Sequence, residues 1–201
     1  MNPYILAITG YSATGKSFCS KVIKKIAEKN NLRVCILKLT PYFHDAATKF
    51  WFDDVWVDLK KDYSKMTPNR INYINERTAT QIEEIKDDYD LIILDFLYLP
   101  QLIQWGEANM RVFINSCQQD RIIKQQKRHI EHGAGWVKMV DEYFDEISLS
   151  HLGVNYIEVM NHHDDSIFEQ LEVIFEEILK QIYSNKGQTK KRSFQRNNKM
   201  G

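Results

Sequence analysis

The chain has 201 residues, of which 43% are hydrophobic and 27% charged. These values predict one compact globular domain and exclude a disordered or fibrous chain. No apolar run approaches the roughly 18 residues of a membrane-spanning helix, and no basic segment precedes the first apolar run, as a secretory signal would require. The three scattered cysteines form no CxxC pair, which argues against a zinc site and a disulfide framework. We expect a soluble, cytoplasmic protein with no membrane partner.

The net charge of zero is unevenly distributed. Residues 186–201 contain six basic residues and no acidic one, which leaves 21 basic and 27 acidic residues before them, a net charge of −6. An acidic body argues against nucleic-acid binding, except through the basic tail. The Asn, Gln, Lys and Gly content of that tail is typical of disorder. We predict a folded domain over residues 1–185 and a disordered basic tail over 186–201.

Short apolar runs alternate with helical patterns along the domain. The runs that predict strands are YILAIT from Tyr4, RVCILKL from Arg33, DLIILDF from Asp90, RVFINS from Arg111 and VNYIEVM from Val154. Helices are predicted from Lys16 to about Asn30, from about Asp45, from Pro68, after the fourth strand and after the fifth. This alternation predicts βαβ units, and therefore an α/β fold with about five parallel strands and helices on both faces of the sheet.

Residues 10–17, GYSATGKS, lie between the first strand and the first helix and fit the Walker A pattern Gly-x-x-x-x-Gly-Lys-[Ser/Thr]. Glycines permit the close backbone approach with which successive amides surround phosphate oxygens, at the positive end of a helix dipole. In such a loop Lys16 reaches the β- and γ-phosphates and Ser17 binds Mg²⁺. We predict a phosphate-binding loop for ATP with Mg²⁺, in which the nucleotide contacts Gly10, Ser12, Ala13, Thr14, Gly15, Lys16, Ser17 and Phe18.

Asp95 ends the most strand-like segment of the chain. A carboxylate at this place in a P-loop enzyme binds the magnesium, so Ser17 and Asp95 are the predicted metal ligands. An aspartate at a strand end also commonly caps the following helix, and that alternative stays open.

A basic helical segment, DRIIKQQKRH, follows the fourth strand. Arg121, Lys124 and Arg128 recur at three- and four-residue steps along one face. Such a face is often only solvated. Phosphoryl transfer, however, requires positive charge near the migrating phosphate in a site shielded from water. We predict a helical lid at about residues 118–136, with Arg121 and Arg128 at the transferring group.

The chain resembles the uridine kinase and phosphoribulokinase group of P-loop kinases. The resemblance rests on GYSATGKS, on DRIIKQQKRHI and on EYFDEISLSH at 142–151, where Tyr143 and His151 match fixed positions. It implies a P-loop kinase fold and transfer of the γ-phosphoryl group of ATP to a hydroxyl of a small acceptor, such as a nucleoside.

The acceptor site is less defined. The family has an acidic motif after its second strand, but this chain has TPYF at 40–43. Asp45 is the nearest acid and the predicted general base, with Asp53 and Asp54 as alternatives. The aromatic residues at 42–56 either stack on a planar substrate or pack in the core.

Three functions follow, in order of preference. The first is an ATP-dependent nucleoside kinase. The second is a kinase for a nucleoside monophosphate or dephospho-coenzyme A, because Arg70 and Arg77 could hold a phosphorylated acceptor. The third is a nucleotide-dependent switch or a nucleic-acid-associated ATPase that uses the basic tail.

Overall fold

The computed structural model describes residues 2–50, 66–128, 140–142, 144–145, 151–153, 155–162 and 164–197; the side chains of residues 125, 126, 128 and 185–197 lie outside this description. The five strands are β1 Tyr4–Gly10, β2 Val34–Lys38, β3 Leu91–Asp95, β4 Met110–Asn115 and β5 Ile157–Met160. The helices are α1 Lys16–Lys29, α2 Thr40–Lys49, α3 Pro68–Ile85, α4 Ile103–Glu107, α5 Gln118–Arg128 and α6 Ser166–Asn197, with a 3₁₀ turn at Leu99–Gln101.

All five strands are parallel and lie in the order β2-β3-β1-β4-β5. The predicted α/β class and the five-stranded parallel sheet are thereby confirmed. The first strand is central. Its neighbours β3 and β4 place Asp95 opposite Ile8 and Ile114 opposite Gly10. The carboxyl ends of β1, β3 and β4 therefore meet at one edge of the sheet.

The sheet is buried on both faces, which is why its strands read as continuous apolar runs. On one face Leu6 and Ile8 of β1 belong to a core cluster with buried residues of α1 and α6. On the other face Ala7 belongs to a cluster with residues of α2 and α3. Successive strand residues thus face opposite helical layers, and the predicted helices on both faces are confirmed.

The second helix begins at Thr40, about one turn before the start predicted at Asp45. Pro41 lies in its first turn, where the missing proline N–H costs no helical hydrogen bond. The helix start predicted at about Asp45 was therefore wrong. The 3₁₀ turn and the short α4 after β3 were not predicted.

The last helix extends to Asn197, whereas a disordered tail was expected from residue 186. Lysine, arginine and glutamine have good helix propensity, so they can continue a helix that has already begun. The domain boundary at residue 185 stays a prediction. Of the predicted lid, α5 covers 118–128, and residues 129–136 lie outside the described residues. None of the helices in the described ranges is long and apolar enough to cross a membrane.

Candidate nucleotide-binding site

The loop between β1 and α1 has a backbone that only small residues permit. Gly10 and Gly15 have φ angles of 144° and 99°. A Cβ atom on Gly10 would lie 2.0 Å from the carbonyl oxygen of Ile114, and one on Gly15 would lie 2.7 Å from Nδ2 of Asn161. Ala13 also has a positive φ, 62°, a conformation that costs a non-glycine residue about 1 kcal/mol or more and that clusters at ligand sites.

Lys16 spans the loop from its position at the start of α1. Its Nζ donates hydrogen bonds to the carbonyl oxygens of Gly10, at 2.9 Å, and Tyr11, at 2.7 Å. Burial lowers the pKa of Lys16 to about 8, with the positive charge of Arg121 acting in the same direction and Asp95 opposing it. A negatively charged group at the loop would favour the charged form of the lysine. The ammonium group is thus placed to bind an anion.

Ser17 and Asp95 meet beside the loop. The Ser17 hydroxyl donates a 2.7 Å hydrogen bond to Oδ2 of Asp95, a residue that is only 5% exposed. Two adjacent oxygen donors suit Mg²⁺, which binds one or two protein oxygens together with substrate phosphates. Within the described ranges, no group of three or more His, Cys, Asp or Glu side chains forms a metal cage. The two predicted magnesium ligands, Ser17 and Asp95, are therefore close enough to bind one ion together.

Asn161 braces the loop from the end of β5. Its Nδ2 donates a 2.7 Å hydrogen bond to the carbonyl oxygen of Thr14, and Asn161 itself is 4% exposed. The loop is also closed internally by the Thr14 hydroxyl, which donates to the carbonyl oxygen of Tyr11 at 3.0 Å. Sequence reasoning missed Asn161, although a polar residue at the carboxyl end of a parallel strand is a signal for a binding site.

A pocket of about 350 Å³ adjoins the loop at Gly15. It is lined by residues of the loop, α1, α5, the β5–α6 connection and the first turn of α6: Gly15, Phe18, Lys124, Asn161, Asp164, Asp165, Ile167 and Phe168. The rings of Phe18 and Phe168 meet edge to face, 5.8 Å apart, and these residues are 46% and 41% exposed. The pocket therefore combines an aromatic wall with charged groups, directly beside the predicted phosphate site.

Arg121 contacts the loop through Tyr11. Its Nη1 donates a 2.6 Å hydrogen bond to Oδ1 of Asp141, and its guanidinium lies 4.6 Å from the centroid of the Tyr11 ring. Arg121 and Asp141 are each 4% exposed. The predicted phosphate-binding arginine is therefore beside the loop, but it is held in a buried ion pair that the sequence did not predict.

The other predicted catalytic residues are placed as follows. Asp45 lies exposed on α2. Burial raises the pKa of Tyr42 on the same helix; the positive charge of Arg77 opposes this rise, and the negative charges of Glu84 and Asp45 add to it. Lys124 lines the pocket. Arg128 ends α5, but its side chain lies outside the described part of the chain, as do Asp53 and Asp54. His151 is described and exposed, and Tyr143 is not described.

The described aromatic residues after β2 divide between core and surface. Phe43 is buried and its ring lies 5.8 Å from Tyr98 and 6.1 Å from Phe96, which is core packing. Tyr42 is half-buried under the guanidinium of Arg77, at 5.6 Å. Trp51, Phe52 and Trp56 lie outside the described residues.

An all-parallel five-stranded sheet whose central strand ends in this loop defines a P-loop-like α/β fold. The crystal structure of TT1252 from Thermus thermophilus is similar, with a TM-score of 0.59 at 13% identity over 90% of this chain and 98% of that one. The crystal structure of APE1195 is similar, with a TM-score of 0.53 at 11% identity over 90% and 97% of the two chains. At such identities the likeness shows the fold alone, which is consistent with nucleotide binding. No family model matches this chain, and no curated protein matches its sequence.

Proposed function

We propose that this protein is a kinase that transfers the γ-phosphoryl group of ATP to a hydroxyl of a small molecule, most simply a nucleoside, with Mg²⁺ as cofactor. The observation that carries the proposal is the meeting of Lys16, Ser17 and Asp95 at one edge of the sheet. The adjoining pocket of about 350 Å³ falls within the usual size range of small-molecule sites. A phosphate loop with such a pocket supports a nucleotide rather than a bare phosphate as the ligand.

The residues divide the work of phosphoryl transfer. The loop amides and Lys16 bind the phosphates, and Arg121, with Arg128 as its predicted partner, stabilises negative charge on the transferring group. Magnesium would be held by Ser17 and Asp95 and would neutralise charge on the β- and γ-phosphates. Catalysis then depends mainly on positioning, since the protein needs to supply little covalent chemistry.

The acceptor is expected at the start of α2. The backbone N–H of Leu39 donates to the carbonyl oxygen of Asp95 at 3.3 Å, so α2 begins beside the metal-binding carboxylate. Asp45 lies on this helix and remains the predicted base toward the acceptor hydroxyl. This arrangement supports an acceptor between α2 and the phosphate loop.

The experiment that tests the proposal measures phosphate transfer from ATP to a panel of nucleosides, nucleoside monophosphates and coenzyme precursors by mass spectrometry. We expect one or more metabolites to gain a single phosphate. Lys16→Ala should abolish this gain and weaken ATP binding. Lys25→Ala, an exposed lysine on the same helix, should behave like the wild type. The proposal is wrong if no metabolite gains phosphate and Lys16→Ala binds ATP as the wild type does.

A phosphorylated acceptor is the second candidate, and the placement of Arg77 favours it. Arg77 lies over the ring of Tyr42 at the α2–α3 interface, on the expected acceptor side. Arg70, its predicted partner, is 1% exposed. Faster turnover of a monophosphate than of its nucleoside, lost in Arg77→Ala but not in Arg33→Ala, would favour this candidate.

A further inference from the structure

Tyr11 joins the phosphate loop to two other parts of the molecule. Its carbonyl oxygen accepts hydrogen bonds from Lys16 and Thr14. Its hydroxyl donates a 2.5 Å hydrogen bond to Oδ1 of Asp145. Its ring packs against Phe144, with centroids 5.0 Å apart, and under the guanidinium of Arg121. One side chain of the loop thus contacts both α5 and the residues Phe144 and Asp145.

Asp141 fixes the other side of Arg121. It accepts from Nη1 of Arg121 at 2.6 Å and from Nε2 of Gln118 at 3.3 Å, so its two oxygens bind two residues of α5. The Nε of Arg121 is buried and has no hydrogen-bond partner among the described residues. A buried donor without a partner is costly, and a guanidinium can bind a carboxylate and a phosphate at the same time because it carries five N–H donors.

The Arg121–Asp141 ion pair costs free energy that an apolar contact between α5 and residue 141 would not. A buried pair loses the hydration of both charges, and well-packed apolar residues would stabilise the same contact at least as well. What the ion pair provides is a fixed orientation of the Arg121 guanidinium. The guanidinium lies against Tyr11 of the phosphate loop, and its Nε–H has no hydrogen-bond partner among the described residues.

We propose that Asp141 and Tyr11 are positioning residues that hold the Arg121 guanidinium at the phosphate loop, so that its unpaired N–H donates to the terminal phosphate of the bound nucleotide. The inference rests on the proposed function, since it requires a nucleoside triphosphate at the loop. It assigns to Asp141, which lies 20 residues after Arg121, a part in recognising the third phosphate. Asp141 and Tyr11 do not touch the reacting atoms; both act through Arg121.

The test compares the binding of Mg²⁺-ATP and Mg²⁺-ADP by calorimetry in the wild type, Asp141→Asn and Tyr11→Leu. Both variants should weaken ATP binding and lower kcat by about tenfold to a hundredfold, because a misplaced cation loses most of its effect. ADP binding should stay within about twofold of the wild type, because ADP lacks the terminal phosphate that Arg121 is proposed to bind and the loop backbone is unchanged in both variants. Asp120→Asn, next to Arg121 on the same helix, is the control and should keep both affinities.

Three further variants keep the test decisive. Arg121→Gln should show the same selective loss of ATP affinity, and adding Asp141→Asn to it should cause no further loss. Tyr11→Phe, which keeps the ring and removes only the hydroxyl, should retain most of the ATP affinity even if Asp141→Asn does not fold.

Equal losses for ATP and ADP, or tighter ATP binding when Asp141 is neutralised, would overturn the inference and leave the proposed function standing. A wild type that binds neither nucleotide would overturn both.

Discussion

The hydroxyl of Ser17 and the carboxylate of Asp95 are separated by 78 residues in sequence and by 2.7 Å in the fold. The parallel pairing of β1 with β3 brings them together, because it places Asp95 opposite Ile8, just before the loop begins. The first helical turn then supplies the hydroxyl. The pair is therefore a product of sheet topology, and either residue alone would leave a candidate metal site half built.

Removing either member of this pair should impair catalysis strongly. We expect Ser17→Ala and Asp95→Asn each to lower kcat by roughly a hundredfold or more, because charge on the transferring phosphate would be less well neutralised. The magnesium concentration for half-maximal activity should rise. Steady-state kinetics across a magnesium titration measures both effects.

The double variant, Ser17→Ala with Asp95→Asn, should be little worse than either single change, since residues that act as a unit are not additive. Asp88→Asn, an exposed carboxylate in the turn before β3, should leave the kinetics unchanged. Full additivity of the two single effects would show that Ser17 and Asp95 act independently.

Loss of the Asn161 side chain should destabilise the phosphate loop. Asn161→Ala leaves the carbonyl oxygen of Thr14 without its 2.7 Å donor, and an unsatisfied buried acceptor costs about 1–3 kcal/mol. Urea denaturation should show this loss, together with weaker nucleotide binding. Asn155→Ala, an exposed position just before β5, should match the wild type; equal behaviour of the two variants would rule out the brace.

The two loop glycines should differ in their tolerance of alanine. In Gly10→Ala the new Cβ meets the backbone carbonyl of Ile114, which cannot move without shifting β4. In Gly15→Ala it meets Nδ2 at the end of the Asn161 side chain, which can move without shifting a strand but then loses its hydrogen bond to Thr14. Overpacking costs about 1–3 kcal/mol and occasionally more, so we expect Gly10→Ala at or above that range and Gly15→Ala within it. Equal free energies of unfolding would contradict this order.

The stability contributed by Lys16 should depend on pH. Its pKa falls to about 8 in the folded protein from 10.5, so between these values the unfolded chain binds more protons than the native one. Stability then rises with pH in this window. We expect the wild type to gain stability relative to Lys16→Met as the pH rises from about 8 to 10.5, by about 1 kcal/mol or more.

Urea denaturation of both proteins over this pH range measures the difference between them, in which the other titrating groups largely cancel. A constant difference would show that the lysine is not desolvated.

The features that were predictable from sequence are those that a short segment determines by itself. The strands are continuous apolar runs because both faces of the sheet are covered. The loop is recognisable because its backbone conformation requires glycine at positions 10 and 15. Asp95 was predictable from its place at a strand end. The start of α2 was predicted too late, at about Asp45, because the aromatic-rich segment after β2 has no clean helical period.

The contacts that Asn161 and Arg121 make with distant segments could not be predicted from the sequence. The Asn161–Thr14 bond joins residues 147 apart, and no local pattern marks either one as its partner. Arg121 was predicted from helical spacing, but its ion pair with Asp141 depends on how residue 141 packs against α5. Tyr11 occupies a variable position of the Walker A pattern, so nothing in the motif indicated its contacts.

The closeness of Gly10 to Ile114 has a consequence for protein engineering. The loop begins inside the sheet, against the carbonyl of the next strand, and ends against an amide from the strand beyond it. The eight residues GYSATGKS are therefore not expected to keep this conformation when they are grafted alone into another protein. A scaffold that received them would also need two parallel strands at the same spacing and a side-chain amide at the end of the second. A design that grafts only the motif would reproduce its sequence without the strand contacts that determine its conformation.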